Sequence, residues 1–134
     1  MSHHYQILIV DDEPIICDRL KAFIEKEGHG VETFVEPGKA LERLQNKDFD
    51  ILISDIRMGE IDGIQVMEKA MEKSDRIKVI MVTGYATMEL ARESMAKGAF
   101  DFIAKPFKYK EIRRTITRAV EEIEQEKLQA VAVP

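Results

Sequence analysis

The chain has 134 residues, 45% of them hydrophobic and 34% charged, with a net charge of −5 and a single cysteine. That length suits one domain with a two- or three-layer core, and the acidic balance argues against a nucleic-acid-binding surface, which is ordinarily basic. No apolar run approaches the ~18 residues of a membrane span, no signal-peptide pattern is present, and the lone Cys17 excludes an internal disulfide, so the composition points to the cytoplasm and away from a membrane.

His3 and His4 precede the first predicted element and read as a frayed end. Strand one is predicted over Gln6 to Val10. Helix one follows over Pro14 to Lys26, with Asp12 or Glu13 as its cap and Pro14 in its first turn. Ile16, Leu20, Phe23 and Ile24 give it an apolar stripe, and Cys17 in the same pattern reads as a small core residue. Gly28-His29-Gly30 stops the helix. Strand two is predicted over Val31 to Val35. Helix two starts near Pro37 and carries Ala40, Leu41 and Leu44. Strand three runs from Asp50 to Ser54. Helix three covers about Ile64 to Lys73 and is amphipathic through Ile64, Val66, Met67, Ala70 and Met71. Strand four is Lys78 to Val82. Helix four, about Thr87 to Lys97, presents Leu90, Ala91, Met95 and Ala96, with Gly98 as its C-cap. Strand five is Phe100 to Ala104, and helix five runs from near Tyr109 to about Gln129.

Five strand-helix repeats with short connections imply one α/β domain, a doubly wound parallel sheet with right-handed crossovers and helices on both faces. In such sheets the binding crevice lies beyond the carboxyl ends of the strands. The polar residues point to the same edge. Strand one ends in Asp11-Asp12, strand three in Asp55, strand four in Thr83-Gly84 and strand five in Lys105-Pro106.

Three carboxylates, a hydroxyl and an ammonium at one edge have a definite chemistry. Two carboxylates ~5 Å apart repel by roughly 3 kcal/mol at an effective dielectric of about 20. Lys105 supplies one counter-charge, and a hard divalent cation with all-oxygen ligation, for which magnesium is suited, supplies more. A carboxylate in that setting can act as a nucleophile toward phosphorus and form an acyl phosphate. Asp55 is the candidate centre. Thr83 and the Gly84 backbone N–H are candidates to hold the phosphoryl oxygens. Taken singly, each residue has a plainer reading: Asp11-Asp12 as helix caps, Asp55 as the start of an Asx-turn, Thr83 as a turn hydroxyl, Lys105 as a solvated charge. The specific signal is their joint placement at successive strand ends.

At this point the residues resemble the receiver domain of two-component response regulators. The resemblance covers about Gln6 to Ile123. It rests on Ile7-Leu8-Ile9-Val10-Asp11-Asp12-Glu13, Asp55-Ile56-Arg57-Met58, Asp62-Gly63, Val82-Thr83-Gly84-Tyr85, and Gly98 to Phe107 with its Lys105-Pro106 pair. It implies a flavodoxin-like (βα)5 fold with strand order 2-1-3-4-5, a single receiver domain over 1–134 with its core at about 6–123, and a helical extension over 124–134. It implies further that Asp55 accepts a phosphoryl group from a histidine kinase. Asp12, Asp55 and the backbone carbonyl of Arg57 would ligate Mg²⁺ directly, and Asp11 mainly through water. Thr83 and Lys105 would bind the phosphoryl group, and the Lys105-Pro106 bond would be cis. Thr83 would swing toward the phosphoryl group, drawing the Phe102 ring inward and reshaping the face of helix four, strand five and helix five for an output domain or partner protein. The domain would not be an enzyme in the ordinary sense, showing only self-catalysed phosphorylation and slow autodephosphorylation.

The family often has Pro after Met58, where this chain has Gly59. Arg57 and Tyr85 occupy positions that flank the phosphoryl group in relatives, and a large pair there would shield it from hydrolysis. The segments around Tyr85 and Lys105 look most like receivers of nitrogen-regulation-type transcription activators, and the chain's end at Pro134 leans toward a free-standing receiver rather than an excised one. On helix five, Ile112, Ile116, Ala119, Val120 and Ile123 form a stripe for the sheet. The pattern continues to Leu128, beyond the reach of the sheet, which fits a helical linker or dimer contact. A homodimer through helix four, strand five and helix five, strengthened by phosphorylation, is expected. Two rival readings are a degenerate receiver acting as a constitutive interaction module, and a haloacid-dehalogenase-type phosphatase. In the latter, Arg57 would stand where an acid/base Asp is needed and cannot readily donate a proton.

Overall fold

Five parallel strands order themselves β2-β1-β3-β4-β5 in the computed structural model, which describes residues 4–56, 58, 62–84 and 88–132. The elements alternate: β1 (Gln6–Val10), α1 (Pro14–Lys26), β2 (Gly30–Phe34), α2 (Pro37–Asn46), β3 (Ile51–Ser54), α3 (Gly63–Lys73), β4 (Lys78–Thr83), α4 (Met88–Ala96), β5 (Asp101–Ala104) and α5 (Tyr109–Ala132). All pairings are parallel. The central strands β1, β3 and β4 are apolar on both sides, and their alternation divides the core in two. Ile7, Ile9, Ile51, Ile53, Ile80 and Val82 face one layer, built with Leu20 and Ile24 of α1 and Ile112, Ile116, Ala119 and Ile123 of α5. Leu8, Val10, Leu52, Val79 and Met81 face the other, built with Ala40 and Leu44 of α2 and Ile64, Val66, Met67 and Ala70 of α3. The doubly wound three-layer architecture and the 2-1-3-4-5 order are those expected.

Several boundaries differ, each for a local reason. β2 lies one residue earlier than predicted, because the Gly30 N–H donates to the Tyr5 carbonyl at 3.0 Å and Asp11 N–H closes the ladder on Phe34 at 3.1 Å, leaving Val35 outside and 42% exposed. Asp50 precedes β3: its side chain accepts the Gln6 N–H at 2.8 Å. β4 extends to Thr83, which pairs with Ala104. Glu13 is the N-cap of α1, yet no side chain caps the helix there; Asp11 instead takes the Glu13 N–H. The predicted frayed end is also corrected at His4, whose ring nitrogen Nδ1 hydrogen-bonds the Gly28 carbonyl. Gly28 and Gly98 both adopt positive φ (97° and 109°), the conformation that lets the chain leave α1 and α4 without a side-chain clash.

The stripe of α4 is corrected too. Met95 is 48% exposed and Ala96 is exposed, whereas the fully buried side chain is Ser94, one turn beyond the half-buried Leu90 and Ala91. A helix of nine residues touching the sheet along one line has room for few inward positions, and the phase set by Leu90 selects Ser94. α5 is longer than predicted. The last turns of α5 stay on the domain: Glu122 and Glu126 pair with Lys78 at 3.1 and 2.7 Å, and the Lys127 ammonium lies over the Tyr5 ring. Leu128, at 62% exposed, projects beyond it. Among the described residues no helix is long and apolar enough to cross a membrane.

Candidate functional site

The site is assembled by backbone bonds at the carboxyl ends of the strands. Asp11 leaves β1, and its Oδ1 accepts the Glu13 N–H at 2.9 Å, which turns the chain into α1. Asp55 leaves the neighbouring β3. Its N–H donates to the Val10 carbonyl at 2.9 Å, and its own carbonyl accepts from Ser54 Oγ at 2.9 Å. Lys105 leaves β5, with its N–H on the Thr83 carbonyl at 2.9 Å. Because β4 stands between β5 and β3, a short cation on β5 would fall short of the carboxylates. The long lysine stem covers the distance. Lys105 Nζ lies 2.8 Å from Asp11 Oδ2, 3.0 Å from Asp55 Oδ2 and 3.2 Å from Glu13 Oε1.

Burial sharpens the electrostatics. Asp11 and Asp55 are 3% and 6% exposed, while Asp12 and Glu13 face solvent. Burial pushes the Asp11 carboxyl above its ordinary value, and hydrogen bonds from Lys105 and the Glu13 N–H only partly offset this. Burial alone would lower the Lys105 ammonium, but its bonds to Asp11 and Asp55 outweigh it and hold the group well above the usual lysine range. Lys105 is therefore charged at neutral pH.

The donor set fits a hard divalent cation. Asp11, Asp12, Glu13 and Asp55 each offer a carboxylate oxygen, and these oxygens lie within 4.8 Å of one another. Four carboxylates against the one ammonium of Lys105 leave a formal charge of −4 + 1 = −3 when all are ionised. All-oxygen ligands with part of the cluster open to water are the pattern that suits Mg²⁺. Glu13 was not expected in this cluster. Its place in an unbroken acidic triplet was visible, but the position reads equally as a helix cap.

Gly84 is exposed, with open space where a Cβ would stand, and follows directly on the strand end. Thr83 is fully buried, and Phe102 is half-buried against the α2–α3 layer. The Lys105-Pro106 bond is cis, as expected. Arg57 and Tyr85 lie outside the described residues, and the expected carbonyl ligand and shielding pair with them. One supporting device was legible but unread: Asp62 and Gln65 form a reciprocal capping box at 2.9 and 2.8 Å, which starts α3.

Comparison with known proteins gives this arrangement its family. Residues 7–117 match the response regulator receiver domain. The chain belongs to the response regulator receiver domain family. Among curated proteins the receiver is similar to the transcriptional regulatory protein ZraR of Escherichia coli O157:H7, 31% identical over 90% of this chain and 27% of that protein. It is likewise similar to the transcriptional regulatory protein FixJ of Bradyrhizobium diazoefficiens, 31% identical over 92% of this chain and 60% of that one. The chain thus spans about a quarter of the ZraR length. Among solved structures, a CheY-like receiver domain protein from Methanospirillum hungatei JF-1 superposes with a TM-score of 0.88 at 35% identity, covering 92% of this chain and 99% of that one. NtrX from Brucella abortus superposes with a TM-score of 0.88 at 27% identity, covering 96% of this chain and 30% of that one. These likenesses agree with the resemblance to receivers of nitrogen-regulation-type activators. As a receiver of two-component response regulators, the domain belongs to a family of signalling regulators whose standard function is phosphorylation by a histidine kinase.

Proposed function

We propose that Asp55 is the phosphoacceptor of this receiver and that the reaction needs Mg²⁺. The observation that carries the reading is the Lys105 ammonium shared between Asp11 and Asp55 at 2.8 and 3.0 Å. An Asp55 carboxylate oxygen forms a bond to phosphorus while the P–N bond of a phosphohistidine breaks, and the imidazole leaves with the electron pair. The product is an aspartyl acyl phosphate. Lys105 turns from the carboxylate toward the transferring oxygens and neutralises charge there. Thr83 and the Gly84 N–H hold the same oxygens after transfer, and the Thr83 movement brings Phe102 inward. Bound magnesium would supply further neutralisation of those oxygens, held by Asp11, Asp12, Asp55 and the Arg57 backbone carbonyl, with Glu13 beside them.

The same reading takes residues 1–134 as a single receiver with its core at about 6–123 and places it in the cytoplasm. The output is an attached domain or partner protein served by the face of α4, β5 and α5, through a homodimer that phosphorylation strengthens, with no direct contact to nucleic acid or membrane. Arg57 and Tyr85 flank the phosphoryl group and slow its hydrolysis; equal dephosphorylation rates in wild type, Arg57→Ala and Tyr85→Ala would remove that role.

Intact mass after incubation with acetyl phosphate and Mg²⁺ tests the core of the proposal. A gain of one phosphoryl mass is expected for the wild type, and none for Asp55→Asn or in EDTA. An equal gain in Asp55→Asn would move the acceptor elsewhere.

A further inference from the structure

We infer that Ser54 is a positioning residue for the acceptor: its buried hydroxyl fixes the peptide that follows Asp55, and with it the direction in which the carboxylate meets phosphorus. This role rests on the reading of Asp55 as the phosphoacceptor and adds the side chain that aims it.

Ser54 is the one polar residue of β3, and it is fully buried. The strand register sets it between Val10 of β1 and Met81 of β4. Both neighbours are fully buried and belong to the apolar layer that the sheet shares with α2 and α3. Strand alternation puts Ser54 on the same face as Leu52, which lies in that layer too. An apolar side chain would suit this row. A hydroxyl withdrawn from water there is unfavourable unless it is hydrogen-bonded. Its partner is the carbonyl of the very next residue, to which Ser54 Oγ donates at 2.9 Å.

That carbonyl stands where sheet pairing has run out. The pairs of β3 with both of its neighbours end at Ser54. The Asp55 N–H still takes a ladder place, donating to the Val10 carbonyl at 2.9 Å, but β1 ends at Val10. From the other side Gly63, at the start of α3, closes on the same peptide. A Cβ there would overlap the Asp55 carbonyl oxygen, and the Gly63 N–H donates to the Ile56 carbonyl at 2.7 Å. The peptides before and after Asp55 are therefore both held, the first by β1 and the second by Ser54 and α3. With two rigid peptide planes fixed, only the side-chain torsions are left to Asp55.

Lys105 holds those torsions at rest, through its 3.0 Å contact with Asp55 Oδ2. In the proposed reaction Lys105 turns to the transferring oxygens, so the carboxylate loses that restraint as it attacks. The Ser54 bond lies outside the reacting atoms and persists through the step. Without it the peptide after Asp55 can rotate and carry the carboxylate off line. A misplacement of about 1 Å is enough to cost roughly 100-fold in rate.

Three variants of the full chain, Ser54→Ala, Ser54→Thr and Ser54→Val, test the role. Thr and Val have nearly the same volume and differ in the hydroxyl, so crowding at this buried place affects both alike. With acetyl phosphate and Mg²⁺, Ser54→Ala and Ser54→Val should reach a limiting phosphorylation rate roughly tenfold below the wild type. The half-saturating donor concentration should stay within about twofold, because the charges that meet the donor are unchanged. Ser54→Thr should exceed Ser54→Val by about fivefold or more. The ¹³C shift of the Asp55 carbonyl, read through the Ile56 N–H in a triple-resonance spectrum, should move in Ser54→Ala and Ser54→Val and hold in Ser54→Thr. Ser54→Ala removes a single oxygen and is read on its own if the larger variants fail to fold. A Ser54→Ala variant that phosphorylates at the wild-type rate, or whose Asp55 carbonyl shift is unmoved, would overturn the role. Equal rates for Ser54→Thr and Ser54→Val would overturn it as well and leave Ser54 as packing alone. A wild type that gains no phosphoryl mass would instead remove the phosphoacceptor reading, and this role with it.

Discussion

Gly63→Ala is expected to unfold roughly 10 °C below the wild type and to form the acyl phosphate poorly. Gly63 is the first residue of α3, and its N–H donates to the Ile56 carbonyl at 2.7 Å. A Cβ built there would stand 1.9 Å from the Asp55 carbonyl oxygen, 2.8 Å from the Asp55 carbonyl carbon and 3.0 Å from Ile56 Cα. All three atoms are backbone, so no side chain can rotate away. Either α3 withdraws from the sheet or the peptide after Asp55 moves. Overpacking of this kind costs about 3 kcal/mol. The second route also displaces Asp55 from Lys105, which couples the stability loss to a loss of reactivity. Gly38→Ala is the matched control, since a Cβ there meets nothing within 4 Å and sits in the first turn of α2. It should be neutral or slightly stabilising. Thermal unfolding of both variants, followed by intact mass with acetyl phosphate, checks the pair. A Gly63→Ala midpoint matching Gly38→Ala would show that the two backbones are not in contact in solution.

Lys105→Met is expected to slow phosphorylation by about 100-fold, the usual cost of removing one preorganised charged donor from a transition state. It should also lower stability in metal-free buffer. The substitution keeps most of the apolar stem and removes the ammonium from Asp11 and Asp55, both nearly inaccessible to water. Leaving buried charge without its partner costs about 3 kcal/mol. Because the proposed magnesium would answer the same carboxylates, Mg²⁺ should raise the unfolding temperature of Lys105→Met by more than it raises that of the wild type. Equal increments, with an unchanged midpoint in EDTA, would show that Lys105 is not the counter-charge of this cluster.

Much of the molecule was legible along the chain. The strands of a parallel sheet covered on both sides must be apolar on both sides, so short apolar runs such as Ile7 to Val10 and Ile51 to Ile53 announce themselves. The polar residues that end them mark the reactive edge. The capping box at Asp62 and Gln65 was equally local and could have been read. Less legible were features in which one short segment serves two purposes. Glu13 occupies a helix cap and a carboxylate cluster at once. Ser94 takes the inward place on α4 that Met95 was expected to hold, because helical phase is decided by what the neighbouring layer can receive.

By itself, then, the sequence determined the order and type of the elements, the two apolar layers, and the set of Asp11, Asp12, Asp55, Thr83 and Lys105 at strand ends. These depend on periodicity and on turn chemistry, which are local. Only the tertiary structure decided that Lys105 bridges Asp11 and Asp55 across the end of β4, that Glu13 joins them, that Gly63 must be glycine, and that α5 holds Lys78 through Glu122 and Glu126. Each of those contacts joins segments from different strands and helices. Their distances are set by strand order and helix packing, for which no short stretch of chain carries a signal.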